Sequence, residues 1–172
     1  MNWIGDGESG AIFDPSRRYR YTLWRRFDEY EMLDMVAFVG LNPSTADETA
    51  NDPTVMRCIN YAKSWGFKGY VMLNAFAWRD TLPQNMRAQP DPVGPSNDEA
   101  ILWVASRVGM VVCAWGNHGS FRGRSRGLTD MLLENGIDLH SLGENNSGEP
   151  KHPLYLRSDL APKLWKGVNE NT

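Results

Sequence analysis

Polar side chains suited to hydrogen bonding recur where the sequence predicts that apolar strands end. They are Asn42, Asn74, Asn117, His118 and His152. Carboxamide and imidazole groups can read the edge of a planar heterocycle, because together they supply both donors and acceptors. The histidines are far apart and no His/Cys spacing typical of a metal site recurs, so we expect neither a metal nor another cofactor.

The segment from residue 35 to 54 shows how such side chains are positioned. Met35 to Val39 is continuously apolar, which is typical of a strand buried on both faces of a sheet. Asn42 and Ser44 follow at the strand end, where open α/β sheets bind their ligands. Asp52-Pro53 then predicts the start of a helix. An ordinary loop, in which Asn42 and Ser44 only satisfy backbone groups, is the alternative.

The same alternation continues along the chain and predicts an α/β fold. Further strands are expected over residues 70–76, 109–115 and 137–142. Helices are expected from 53 to about 65, from a capping box of Ser96 and Glu99, after a glycine and arginine loop at 119–127, and at the end around Trp165. The predicted architecture is three-layered α/β/α, with a central parallel sheet of about four strands.

Residues 1–34 form a β-rich lead-in, with a hairpin of two strands at about 11–13 and 19–27. The second strand alternates apolar with basic residues, which predicts a half-exposed strand. Its polar side carries Arg18 and Arg20, and Arg25 and Arg26 follow just beyond. These arginines either protect a solvated sheet edge or contact phosphate.

The length of 172 residues and the ordinary composition predict a single globular domain, and we expect its core over residues 35–160. No apolar run reaches membrane-spanning length, and the first residues lack the pattern of a secretory signal. Cys58 and Cys113 are predicted to be buried, reduced hydrophobes, so we expect a cytoplasmic protein. A net charge of −3 argues against a general nucleic-acid coat but permits a local basic face.

Four segments, in order along residues 35 to 160, resemble motifs of the uracil-DNA glycosylase superfamily. They are Gly40-Leu41-Asn42-Pro43-Ser44, Leu73 to Arg79 (LNAFAWR), Ala114-Trp115-Gly116-Asn117-His118 and His152-Pro153-Leu154-Tyr155-Leu156. The chain is also similar to uncharacterised bacterial and phage proteins that share LNPSTAD, DDPT, AWG and HPLYL.

The resemblance implies a monofunctional DNA glycosylase that flips one base out of DNA. Asn42 would position water, with Asp47 assisting; Asp52 is the other carboxylate considered, although helix capping accounts for it. His152 would donate a hydrogen bond to the departing base. Base contacts would come from Asn74, Phe76, Ser44 and Asn117, with Trp78 and Tyr61 as further candidates for stacking. Phosphate contacts would come from Arg122, Arg124, Arg126, Lys151 and Arg157.

Two departures from the family pattern leave the substrate open. The most active uracil enzymes of the family carry Asp where this chain has Asn42, and Leu154-Tyr155 replaces Ser-Pro after His152-Pro153. The base is therefore either uracil or a bulky modified base. A non-catalytic nucleic-acid or nucleotide-binding module and an enzyme of free nucleosides or nucleotides are the alternatives. A monomer is favoured over an oligomer.

Overall fold

A seven-stranded mixed sheet forms the centre of the molecule in a computed structural model that describes residues 1–169. The strands are β1 (Ser9–Phe13), β2 (Arg20–Arg26), β3 (Met35–Gly40), β4 (Gly69–Asn74), β5 (Met110–Cys113), β6 (Leu139–Ser141) and β7 (Lys163–Trp165). Their order across the sheet is β1-β2-β4-β3-β5-β6-β7. The predicted mixed α/β class is confirmed.

Strand pairing divides the described sheet into a centre and two margins. β3 pairs in parallel with both β4 and β5, and β5 pairs in parallel with β6. The pairs β1–β2, β2–β4 and β6–β7 are antiparallel. The carboxyl ends of β3, β4, β5 and β6 therefore lie at one edge of the sheet. Open α/β sheets bind their ligands at this edge.

The helices are α1 (Pro53–Ser64), α2 (Pro83–Arg87), α3 (Asn97–Ala105) and α4 (Arg124–Glu134), with 3-10 turns over Met32–Asp34 and Asn117–Gly123. α1 begins as predicted, because the Asp52 carboxylate accepts a hydrogen bond from the Val55 N–H at 2.9 Å and Pro53 needs no partner. Gly66 follows its end with φ of +84°, a conformation that glycine adopts without strain.

Apolar side chains fill a core on each face of the sheet. Along β3, Val36 and Phe38 belong to one core and Ala37 and Val39 to the other, because successive side chains point to opposite faces. α1 packs on the first of these cores, and α3 and α4 pack on the second. Two buried faces explain why β3 reads as a continuous apolar run.

The N-terminal hairpin differs from its prediction in a way that matters for the site. β2 lies between β1 and β4, so it is an interior strand and not a half-exposed edge. Arg20 is 2% exposed and Arg25 is 7% exposed. Arg25 hydrogen-bonds the carbonyl groups of Asp47, Glu48 and Ala50, and thereby fixes the loop before α1.

Three further local predictions are wrong. The C-terminal segment around Trp165 forms strand β7 instead of a helix, since it completes the sheet beside β6. Ser96 precedes α3 but makes no side-chain cap, because its backbone is not in the extended conformation of an N-cap. The predicted glycine and arginine loop at 119–127 is instead a 3-10 turn and the first turn of α4, although the helix expected after it is present and ends at Glu134. None of the helices described within residues 1–169 has the length and apolarity to cross a membrane.

Candidate functional site

A cleft of about 650 Å³ lies at the carboxyl edge of the central strands. Its wall includes Asn42, Ser44, Thr54, Asn117, His118, Lys151 and His152. An inner cavity of about 40 Å³ adjoins it and is lined by Arg20, Leu41, Asn42, Ser44, Asp52, Thr54, Val55, Met72, Asn74 and His152. Five residues line both spaces, namely Leu41, Asn42, Ser44, Thr54 and His152. We treat the cleft and the inner cavity as one site.

Arg20 reaches the inner cavity from the interior strand β2. Its Nη1 donates to the carbonyl of Ala46 at 3.1 Å, and its Nη2 donates to Asn74 Oδ1 at 3.2 Å. Its Nε is buried without a hydrogen-bond partner in the part of the chain that the structure describes. Burial lowers the pKa of Arg20 to about 10, which still leaves the guanidinium charged at neutral pH. The site therefore contains a buried positive charge.

Asn74, the last residue of β4, is 1% exposed and is held on two sides. Its Oδ1 accepts the bond from Arg20, and its backbone carbonyl accepts one from Asn97 Nδ2 at 2.9 Å. Its Nδ2 is buried and has no hydrogen-bond partner among residues 1–169. A Cβ at Gly40 would lie 3.1 Å from this nitrogen, so glycine at that position leaves the Asn74 amide room.

Asn42 is oriented by the loop that follows β4. Its Nδ2 donates to the carbonyl of Asp80 at 2.9 Å, with longer contacts to the carbonyls of Pro43 and Trp78. Within the described residues its Oδ1 accepts no hydrogen bond. This oxygen is therefore available to a water or a ligand in the site.

His152 is half-buried and has a defined tautomer. Its Nδ1 lies 3.2 Å from the backbone N–H of Leu154, which can only donate, so Nδ1 is the acceptor. Burial lowers the pKa of His152 below its ordinary value, and Asp52 opposes that shift. The neutral imidazole therefore carries its proton on Nε2, as a donor.

The two acidic candidates are placed differently. Asp52 lines the inner cavity while capping α1. Asp47 is in neither space, and its Oδ1 accepts hydrogen bonds from Thr49 and Ala50 at 3.0 and 2.8 Å. Those bonds lower the pKa of Asp47, which makes its carboxylate a weaker base. Asp52 is thus the carboxylate that can reach a ligand here.

A buried carboxylate supports the far wall of the cleft. Glu149 Oε2 accepts hydrogen bonds from Trp115 Nε1 and from the Ser125 hydroxyl, both at 2.7 Å. The next residue, Pro150, accepts a bond from the Gly116 N–H at 2.9 Å. These contacts tie the end of β5 and the start of α4 to the chain that leads into His152.

Asn117 joins two loops at the rim of the cleft. Its Oδ1 accepts from Asn145 Nδ2 at 3.1 Å and from the Ser147 hydroxyl at 2.6 Å. Ser44 lines both spaces of the site. The three aromatic candidates lie outside the two linings: Phe76 packs near Phe121, Trp78 against Tyr19, and Tyr61 against Trp65. Trp115 is the aromatic residue in the cleft wall.

The five basic candidates fall into different environments. Lys151 lines the cleft. Arg122 is exposed and donates to the carbonyl of Pro90 at 3.1 Å. Arg124 is turned inward, toward the Ala75 carbonyl at 2.8 Å and Asp98 at 2.7 Å. Arg126 lies 3.9 Å from Asp130 beside a different cavity, and Arg157 pairs with Asp159 at 2.6 Å.

The structure thus brings together Asn42, Ser44, Asn74 and His152, with Asn117 and Lys151 farther out in the cleft. Sequence reasoning missed the contribution of Arg20, because basic residues on an alternating strand usually face solvent. The signal that could have found it is the presence of large apolar residues on both faces of β2, Leu23 on one and Trp24 on the other, which suits an interior strand. Across residues 1–169, no three His, Cys, Asp or Glu side chains group as a potential metal site.

Comparison with known proteins identifies the family of the chain but no activity. Residues 20–154 match the family described as Protein of unknown function (DUF1643), and the chain belongs to that family. The matched range begins at Arg20 and includes Asn42, Asn74 and His152. No curated protein and no solved structure matches the chain.

Proposed function

We propose that this protein is a monofunctional DNA glycosylase, which hydrolyses the N-glycosidic bond of a base flipped out of DNA. The observation that carries the proposal is the shared lining of the inner cavity by Asn42, Asn74 and His152, three residues from separate segments of the chain. The adjoining cleft has a volume typical of small-molecule sites, which run from about 300 to 1,000 Å³.

The proposed architecture is the three-layer α/β/α fold of the uracil-DNA glycosylase superfamily, with β4, β3, β5 and β6 as its parallel centre. The pairing of these strands and the packing of helices on both faces support it. In such a fold the strand-end residues meet at one rim, where one nucleotide can be held.

The proposed reaction is attack of water on the sugar carbon C1′. Asn42 Oδ1 orients the water, and the Asp52 carboxylate takes the proton that the water loses. The new C–O bond replaces the C1′–N bond, whose electron pair leaves with the base. The Nε2–H of His152 donates to the base oxygen on which negative charge grows, an interaction that strengthens in the transition state. A proton from the medium then neutralises the base.

DNA is the proposed partner because the mouth of the cleft carries Lys151 and the exposed loop after Pro153. On that loop Tyr155 is 93% exposed and has a φ of +69°. A left-handed backbone conformation costs free energy in a residue other than glycine. Backbone strain of this kind clusters at functional sites. An exposed aromatic ring beside a base site suits stacking on nucleic acid.

An enzyme of free nucleosides or nucleotides is the second candidate. It is favoured by the engagement of Arg124 and Arg157 with carboxylates at 2.7 and 2.6 Å, which leaves fewer cations for a phosphate backbone.

Single-turnover incubation with two substrate panels tests these functions. One panel contains duplexes with normal, mismatched and modified bases, followed by alkali; the other contains the matching free nucleosides. Strand breaks at one base support the glycosylase, and release from free nucleosides alone supports the second candidate. DNA binding without release of any base contradicts both and leaves a non-catalytic binding module.

A further inference from the structure

Two residues that line the inner cavity have hydrogen-bond donors without a partner within the described chain. Asn74 Nδ2 and Arg20 Nε are both buried and unpaired. Buried polar groups are paired in most folded proteins, and leaving one unpaired costs free energy. Both residues line the inner cavity, so a ligand seated there can supply the acceptors that these donors lack.

Arg20 fixes the direction in which the Asn74 amide points. A guanidinium can only donate, so the amide atom 3.2 Å from Arg20 Nη2 has to be the oxygen. Turning the amide over would put two donors against each other. The Asn74 oxygen is thus held by Arg20, and the NH₂ is the part of the amide that has no partner within the described chain.

The charge in the cavity favours the same kind of ligand group. No carboxylate in the described chain lies within ion-pair distance of Arg20. Asp52 lines the cavity, but its two oxygens face the N–H groups of Val55 and Ala46, at 2.9 and 3.4 Å. Asp52 favours the charged form of Arg20 without contacting it, and the guanidinium still attracts ligand atoms that carry partial negative charge.

The size of the cavity limits what enters it. Its volume of about 40 Å³ is much smaller than the roughly 650 Å³ of the cleft, so it admits the edge of a base and not the whole ring. The ring of a bound base would stay in the cleft and direct one edge inward.

We propose that Arg20 sets the base preference of this site by holding the Asn74 oxygen, so that the NH₂ is the part of the amide left for the edge of a base. The favoured edge has two adjacent acceptors, a carbonyl oxygen beside an unprotonated ring nitrogen, as in a cytosine-type pyrimidine. A uracil-type edge is disfavoured, since its ring N–H would face donors. This inference rests on the proposed function, because it takes the ligand to be a nucleobase.

The first test measures equilibrium binding of free cytosine, 3-deazacytosine and uracil to the intact protein at millimolar concentrations by calorimetry. 3-Deazacytosine differs from cytosine in having C–H in place of the ring-nitrogen acceptor. Cytosine should bind at least ~10-fold more tightly than either, the effect of one buried polar group without a partner. Equal affinities, tighter binding of uracil, or no binding of any base overturns the inference.

Two variants test the part played by Arg20. Arg20→Met frees the Asn74 amide to rotate, so the preference should shift toward uracil. Asn74→Asp keeps a partner for Arg20 but removes the donor, so the cytosine preference should disappear. Asn60→Asp, the same change on the exposed face of α1, is the matched control and should keep it. An unchanged preference in both cavity variants contradicts the proposal.

The binding test and the release test fail separately. If cytosine is preferred but no duplex or nucleoside loses its base, the glycosylase proposal is wrong and the inferred specificity stands. If bases are released but cytosine is not preferred in binding, the inferred specificity is wrong and the glycosylase proposal stands.

Discussion

Arg20 Nη2 donates a hydrogen bond of 3.2 Å to Asn74 Oδ1, and so joins two strands that are 54 positions apart in the chain. Both side chains are almost completely buried. The contact links the stability of the fold to the chemistry of the site, because the same bond that pairs the buried charge also orients the amide.

Breaking this contact on one side should destabilise the protein more than replacing both partners. We expect Asn74→Leu to lower the free energy of unfolding by about 2–3 kcal/mol, since it leaves part of a buried guanidinium unpaired. The double variant Arg20→Met, Asn74→Leu should recover most of that loss, because two apolar side chains need no partners. Urea unfolding of the wild type, both single variants and the double variant measures the coupling. Strictly additive effects would show that the two side chains are not energetically linked.

The lowered pKa of His152 predicts a dependence of stability on pH. The unfolded chain binds a proton on this residue near the ordinary pKa of 6.5, whereas the folded protein binds it only at lower pH. Between those two pKa values the unfolded state holds more protons, so the free energy of unfolding falls as the pH falls below about 6.5. His152→Gln cannot titrate and should lose less stability over this range. Thermal unfolding of both proteins from pH 8 to pH 5 tests this, and parallel curves would contradict it.

Glu149 should support the site without contacting the ligand. Glu149→Ala leaves Trp115 Nε1 and the Ser125 hydroxyl without their acceptor, and we expect a loss of about 2–4 kcal/mol in unfolding free energy. Glu149→Gln keeps one acceptor oxygen and should lose less than half of that. Denaturant unfolding ranks the two variants. Equal losses would mean that the carboxylate charge, and not the acceptor, is what these groups require.

The basic side chains should differ in their effect on DNA binding. Lys151→Ala should weaken binding to all sequences and reduce the slope of log K against log salt by about 1, as expected for one phosphate contact. Arg124→Ala should leave that slope unchanged while lowering stability, because Arg124 already binds Asp98 and the Ala75 carbonyl. Fluorescence anisotropy at several salt concentrations compares the two variants. A slope lowered only by Arg124→Ala would reverse this assignment.

The fold and the site were predictable from the sequence to different degrees. Apolar runs and capping residues predicted β3, β4 and α1, because these signals depend on neighbours in the chain. The C-terminal strand β7 was mistaken for a helix, since only its pairing with β6 makes it extended. Arg20 was expected on a half-exposed strand, either at a solvated edge or in contact with phosphate, because the position of β2 between β1 and β4 depends on contacts distant in sequence.

The residues of the site were likewise predictable only in part. Asn42, Asn74 and His152 could be placed together because parallel strands end at one edge of the sheet. The choice between Asp47 and Asp52 could not be made from the sequence, since it depends on which carboxylate the loop turns toward the cavity. In the folded loop, Asp47 is held by Thr49 and Ala50, and Asp52 lines the cavity.

The most direct test of the central claim is single-turnover base release by the wild type, Asn42→Ala and His152→Ala, on the duplex that the substrate panel selects. We expect each substitution to slow release by ~10²–10³-fold, because both side chains act on groups that change in the transition state. DNA affinity should stay within a few-fold of wild type. Asn60→Asp serves as the control with wild-type release. Unchanged release rates in both site variants, or a loss of rate that matches an equal loss of affinity, would contradict the account.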